Sequence, residues 1–168
     1  NEKVYYAYRK LINSLTLTPI EYAQLKRVFM GCFTHANHFY VDKILHNIRS
    51  FDFTSSYPAV MCSEMFPMSN PEHIVLKSKE EFLENLENYC CMFDIEFSQL
   101  ESRIEYEHPL SKSKCATIEG YIEDNGRIVY ADRAVTSLTE LDYKTFSKFY
   151  KWKNCRIFNF RRFKKGYL

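Results

Sequence analysis

The heptapeptide Cys91-Met92-Phe93-Asp94-Ile95-Glu96-Phe97 alternates apolar and polar side chains. A period of two is the mark of a strand with one buried face, and it commits the chain to building a sheet. Further strand signals follow. Tyr121-Ile122 and Ile128-Val129-Tyr130 flank Asp124-Asn125-Gly126, a hairpin turn sequence, and residues 155–163 return as another strand. Helix starts stand between them. Thr18-Pro19-Ile20-Glu21 predicts a capping box with Pro at the first helical position, a helix to about Met30 and a stop at Gly31. Ser78-Lys79-Glu80-Glu81 opens a second helix with Phe82, Leu83, Leu86, Tyr89 and Cys90 on one stripe. Thr139-Glu140-Leu141-Asp142 opens a third, with Phe146, Phe149 and Tyr150 as its apolar side. Residues 39–50 read as a loop or short helix, and residues 98–114 as a polar loop around Pro109.

This pattern predicts an α+β (mixed α/β) fold with antiparallel strands. A length of 168 residues suits one domain or two small ones sharing a core, and a hydrophobic content of 46% excludes a disordered chain. Four Gly against 14 Phe and 13 Tyr argue against Gly-rich dinucleotide folds and for an aromatic-packed core. No apolar run approaches the roughly 18 residues of a membrane span, and the start NEKVYYAYRK lacks the apolar core of a signal peptide. None of the six Cys has zinc-knuckle spacing, so reduced, mostly buried thiols in a cytoplasmic protein are expected. The five His sit in polar stretches and are each expected at the surface, which leaves a Cys- or Ser-nucleophile hydrolase with little support. The start at Asn1, without Met, and the basic run before Leu168 suggest a piece of a longer protein.

Charge is segregated along the chain. Residues 79–107 hold nine acids against two bases, while residues 148–168 hold eight bases and no acid. Phe149, Tyr150, Trp152, Phe158, Phe160, Phe163 and Tyr167 interleave the basic run. Cations neutralise phosphates and rings stack on bases, so the segment fits a nucleic-acid surface. A solvated charged face with its rings in the core fits the same residues.

The most informative segment is Phe51-Asp52-Phe53-Thr54-Ser55-Ser56-Tyr57-Pro58. Residues 48–55 read as a strand, with Ile48, Ser50 and Asp52 on one face and Arg49, Phe51 and Phe53 on the other. A carboxylate between two Phe is costly to bury without a partner, and a hard cation such as Mg²⁺ is one such partner. The turn at 55–58 exposes successive backbone N–H groups. A helix starting around Ala59-Val60-Met61, with Ser55 or Ser56 near its cap, would point its positive end at an anion such as a triphosphate. An edge strand with an exposed Asp and a capping Ser fits the same spacing.

Asp52, Ser55, Tyr57 and Pro58 stand in register with motif A of family B DNA polymerases, Asp-x-x-Ser-Leu-Tyr-Pro, which the segment resembles, with Ser56 in place of Leu. Upstream, Phe29-Met30-Gly31-Cys32-Phe33-Thr34 is similar to the Tyr-x-Gly-Gly-Phe-Thr element of the protein-primed branch found in phages and linear plasmids. Downstream, Leu138-Thr139-Glu140-Leu141-Asp142, its helix and the strand ending Phe160-Arg161-Arg162-Phe163 resemble the first terminal-protein-region insertion of that branch.

The resemblance implies a partial polymerase palm over residues 1–70, carrying motif A, and a small α+β insertion domain over residues 71–168. Asp52 would be the catalytic metal ligand, with the carbonyl of Phe53 as a further ligand to Mg²⁺ or Mn²⁺. Backbone N–H groups of Ser56 and Tyr57 would hold the phosphates of an incoming dNTP, and the Tyr57 ring would exclude a ribose 2′-hydroxyl. Ser55 would help position the primer or priming protein, and Gly31 and Thr34 would lie along the DNA template. Arg161, Arg162, Lys164 and Lys165 would contact DNA or a terminal (priming) protein. No membrane partner is implied.

Neither the Tyr-x-Asp-Thr-Asp pattern of motif C nor a Lys-bearing motif B helix occurs in the chain. Two-metal phosphoryl transfer needs at least two converging carboxylates, so the isolated chain is expected to be inactive. The alternative, from a different class, is a non-enzymatic nucleic-acid- or protein-binding module built on the basic, aromatic C-terminal segment.

Overall fold

The computed structural model describes residues 2–14, 16–29, 38–106 and 108–168. The chain opens with helix α1 (Glu2–Ser14), which the sequence reading did not anticipate. Val4, Tyr8, Leu11 and Ile12 recur at helical spacing along it, and all four stay exposed. Helix α2 (Pro19–Val28) begins as expected. The Thr18 hydroxyl accepts the Glu21 N–H at 3.2 Å, and the Glu21 carboxylate accepts the Thr18 N–H at 2.8 Å. That backbone donor is the main reason the Glu21 carboxyl titrates below its ordinary range. One turn of 3₁₀ helix at His38–Tyr40 precedes an irregular stretch, then α3 (Ser56–Ser63).

Two short strands, β1 (Phe66–Pro67) and β2 (Glu72–His73), lead to α4 (Lys79–Asn88). Only half of the expected capping box forms at α4. Ser78 accepts the Glu81 N–H at 3.1 Å, but the Glu81 carboxylate takes the Lys77 N–H at 2.7 Å instead. Strand β3 (Cys90–Ser102) runs through the centre of the sheet, and β4 (Thr117–Asp124) and β5 (Arg127–Thr139) form the expected hairpin. Asn125 and Gly126 have φ of 48° and 74°, the two left-handed residues of a type I′ turn. The complete capping box of Thr139 and Asp142 starts α5 (Glu140–Phe149), followed by β6 (Tyr150–Lys151), β7 (Asn154–Phe163) and β8 (Lys165–Gly166).

The main sheet is antiparallel in the order β2-β7-β3-β5-β4, with β6 also paired to β3; β1 and β8 make a separate ribbon. Strand β3 extends to Ser102 because β5, β6 and β7 all supply partners there, as in Glu101↔Tyr130 and Ser98↔Asn154. The front of the segment expected as a loop over 98–114 is therefore strand. Helices α4 and α5 cover one face. Phe82 meets Phe93 edge-on at 5.2 Å, Phe93 stacks on Phe160 at 5.6 Å, and Phe97 lies 4.9 Å from Trp152. Such ring pairs add about 0.5–1.5 kcal/mol each beyond the area they bury.

The opposite face of β3 was expected to be solvated, but its N-terminal half is not. Met92 and Asp94 are buried, because α2 lies across β3 and β5 on that side. Asp94 is 4% exposed and accepts from Gln24 (3.2 Å), Arg27 (3.2 Å), Ser137, and Asn159 (2.8 Å). Leu83, expected on the buried stripe of α4, is exposed, and His108, expected at the surface, is buried.

Candidate functional site

Residues 48–55 form no strand. No strand of the described residues runs beside them, and an extended segment without a pairing partner leaves its backbone to water. Phe51 and Phe53 are 87% and 84% exposed, and Asp52 is exposed between them. Asp52 is therefore open to solvent, contrary to the buried-strand reading, and no desolvation cost has to be met there. At the entry to α3, Ser55 occupies the N-cap position in a left-handed conformation (φ 55°) and makes no side-chain capping bond. Ser56 and Tyr57 form the first turn of α3, where helix N–H groups have no intrahelical acceptor. The Tyr57 side chain is largely exposed and makes a contact of its own. Gly31 and Thr34 lie outside the described residues.

A divalent cation needs several oxygen donors converging on one point. Among the described residues no group of three or more His, Cys, Asp or Glu side chains gathers to hold one. Asp52 is thus a single carboxylate donor, with the Phe53 carbonyl one residue away in sequence, and the donors present do not complete a metal site.

The basic segment is folded against the acidic one. Strand β7 lies beside β3, so charges far apart in sequence meet across the sheet. Arg156 pairs with Glu96 at 2.8 Å, Lys151 with Glu101 at 3.0 Å, and Arg162 with Glu72 at 2.8 Å. Glu96 also receives Arg133 at 2.9 Å, and these two guanidinium bonds hold its carboxyl below the ordinary range. Arg161 is 3% exposed and donates to Gln24 and to His73. Arg162 further donates to Asn85 at 3.1 Å and stacks over Tyr89. Lys165 is half-buried and donates to the Glu87 carbonyl at 2.8 Å, while Lys164 is exposed. Phe160, Trp152 and Tyr150 pack into the core instead of presenting their faces to solvent. Of the four basic residues expected to contact DNA or a priming protein, Lys164 is the most accessible and Arg161 the least.

A cleft of about 750 Å³ opens between α2, α3, β3, β7 and the start of α5. Leu25, Val60, Met65, Phe66 and Phe163 line it, with Glu21 and Glu140 among its polar members. No signal in the sequence announced this cleft, because its walls come from elements distant along the chain. No helix among the described residues is long and apolar enough to cross a membrane.

The chain matches the family of DNA polymerase type B, organellar and viral, over residues 2–166. No curated protein and no solved structure matches it. The family match spans nearly the whole sequence, including the Asp52–Pro58 segment and the sheet, so the chain belongs to the organellar and viral type B DNA polymerases.

Proposed function

We propose that this chain supplies the motif A carboxylate, Asp52, of a template-directed DNA polymerase that extends a primer in protein-primed replication. The observation that carries the reading is the family match over residues 2–166, within which Asp52, Ser55, Tyr57 and Pro58 keep their motif spacing. Asp52 and the Phe53 carbonyl would contribute ligands to a Mg²⁺ or Mn²⁺ site whose other carboxylates come from elsewhere in the polymerase. When bound, the metal would stabilise charge on the transferring phosphoryl group. Ser56 and Tyr57, at the positive end of α3, suit the phosphates of a dNTP. The Tyr57 ring would set selectivity against ribonucleotides, Ser55 would face the primer or priming protein, and Gly31 and Thr34 would follow the template. The uncovered apolar side chains Ile44, Ile48, Phe51 and Phe53 support a segment that packs against further polymerase structure. Residues 71–168 would be the terminal-protein-region insertion, with Lys164 the most accessible of its contacts to DNA or priming protein. The enzyme would act in the cytoplasm, in a host cell where the replicon is viral.

The test is Asp52→Ala in the polymerase that contains this chain. Turnover should fall by about three orders of magnitude or more, as for loss of a catalytic metal ligand, while affinity for primer–template is retained. Unchanged turnover would refute the reading. The isolated chain, having one of the required carboxylates, should give no template-dependent product. A non-enzymatic binding module would show no loss of turnover on Asp52→Ala, and the packing of Phe160, Trp152 and Tyr150 into the core argues against it.

A further inference from the structure

Gln24 is 1% exposed on α2 and stands between a buried cation and a buried anion. Its Oε1 accepts from Arg161 of β7, and its Nε2 donates to Asp94 of β3 (3.2 Å) and to the Asn159 carbonyl (3.1 Å). The amide has only one orientation that satisfies both neighbours, since a guanidinium only donates and a carboxylate only accepts. One turn further along α2, Arg27 adds Nη2 to Asp94 (3.2 Å) and Nε to the Ser137 hydroxyl (2.8 Å), which in turn donates to Asp94. At the far end, Arg161 also meets His73 (3.0 Å) and Glu21 (3.8 Å). Every partner of Asp94 in this assembly is a donor. A ten-residue helix that would otherwise fray is thereby held on the sheet at two successive turns by buried, charge-assisted bonds.

We propose that Asp94, through Gln24 and Arg27, is a positioning residue: it sets where α2 stands on the sheet, and with it the wall that Leu25 and Val28 give to the cleft shared with Val60 and Ser63 of α3. The sheet thus serves the polymerase by holding α2 across the cleft from α3, the helix that follows Asp52, in addition to any contact it makes with partners. The functional half of this inference rests on the polymerase reading; the structural half does not. The polar network is specific in a way an apolar contact is not. Sliding or rotating α2 by one residue would leave the Gln24 amide unpaired in a buried place and strip Asp94 and Arg161 of part of their partners.

Hydrogen exchange of the chain tests the structural half. In Asp94→Ala and in Gln24→Met, amides of residues 23–28 should exchange at least about tenfold faster, from loss of charge-assisted bonds, while those of Ile95 and Phe97 in β3 change little. Asp94→Asn should behave like Asp94→Ala, because its new N–H₂ faces donors, and Asp94→Glu should restore part of the protection. Gln24→Met keeps volume and charge, so it remains informative if the Asp94 variants do not fold. Exchange of α2 unchanged in Gln24→Met, or β3 amides accelerating as much as α2, would overturn the positioning role. In the polymerase containing this chain, Gln24→Met should lower kcat for incorporation severalfold with affinity for duplex DNA unchanged. Faster α2 exchange with unaltered incorporation would retain the structural coupling and refute its service to catalysis. A failure of the polymerase reading itself would show instead as an Asp52→Ala enzyme with normal turnover.

Discussion

The carboxylate of Glu140, the first residue of α5, accepts the backbone N–H of Cys91 at 2.7 Å. The two residues lie 49 positions apart, so the bond fastens the start of a helix to the start of the central strand. A carboxylate at that helix position is also favoured by the helix dipole. Removing it in Glu140→Ala leaves a buried N–H without an acceptor and should cost about 1–3 kcal/mol. Glu140→Gln keeps an acceptor oxygen and should cost less. Urea unfolding followed by the fluorescence of Trp152, the single Trp, measures both; equal midpoints for Glu140→Ala and the parent chain would refute the role of the bond.

The same region governs thiol reactivity. Burial, with the nearby Glu140 carboxylate second, pushes the Cys91 thiol up to about 12, and burial pushes Cys115 up to about 11. Only the thiolate is alkylated, and at pH 8 the Cys91 thiolate fraction would be on the order of 10⁻⁴. Cys62, exposed on α3, should therefore react with iodoacetamide long before Cys91 or Cys115 in the folded chain. Peptide mass spectrometry over a time course reads the order directly. Cys91 labelled as fast as Cys62 would contradict it.

Gly120 in β4 has φ 53°, and a Cβ there would stand 1.9 Å from a carboxylate oxygen of Asp132. Gly120→Ala meets both a strained backbone and a collision, and should lose about 1–3 kcal/mol. The two parts separate in a double variant. With Asp132→Ala the collision with the carboxyl group disappears, while a tight 3.0 Å approach to the remaining Cβ and the cost of the left-handed backbone persist, so about half of the loss should be recovered in thermal melts. An alanine tolerated at full stability would mean that β4 does not hold this conformation.

His108 predicts a pH dependence. It is 2% exposed, its Nδ1 lies 2.8 Å from the Ser102 hydroxyl, and burial lowers its pKa from the ordinary 6.5. The unfolded chain therefore takes up this proton at higher pH than the folded one. The contribution to stability is complete above the ordinary value. It declines as the pH falls below about 6.5, until the folded-state pKa is reached. Denaturant midpoints between pH 8 and pH 5 should fall with acid more steeply in the parent chain than in His108→Gln. Parallel curves would show that this imidazole does not contribute.

The sequence by itself determined what depends on neighbours within a few positions. Thr18 with Glu21, Thr139 with Asp142, and Asn125-Gly126 act over three residues or fewer, and each appears where its chemistry requires. The Asp52–Pro58 spacing that resembles motif A was legible for the same reason, within one short segment, and it lies inside the stretch that matches the family. Tertiary structure alone decided the rest. Whether residues 48–55 pair as a strand depends on a partner strand that no local pattern supplies, so the alternation there misled. The acidic and basic runs were visible, but their meeting across β3 and β7 was not, because strand order is a long-range property. Asp94 was read as solvent-facing by its alternation with Phe93 and Ile95; it is buried because α2, about 70 positions earlier, brings Gln24 and Arg27 to meet its charge.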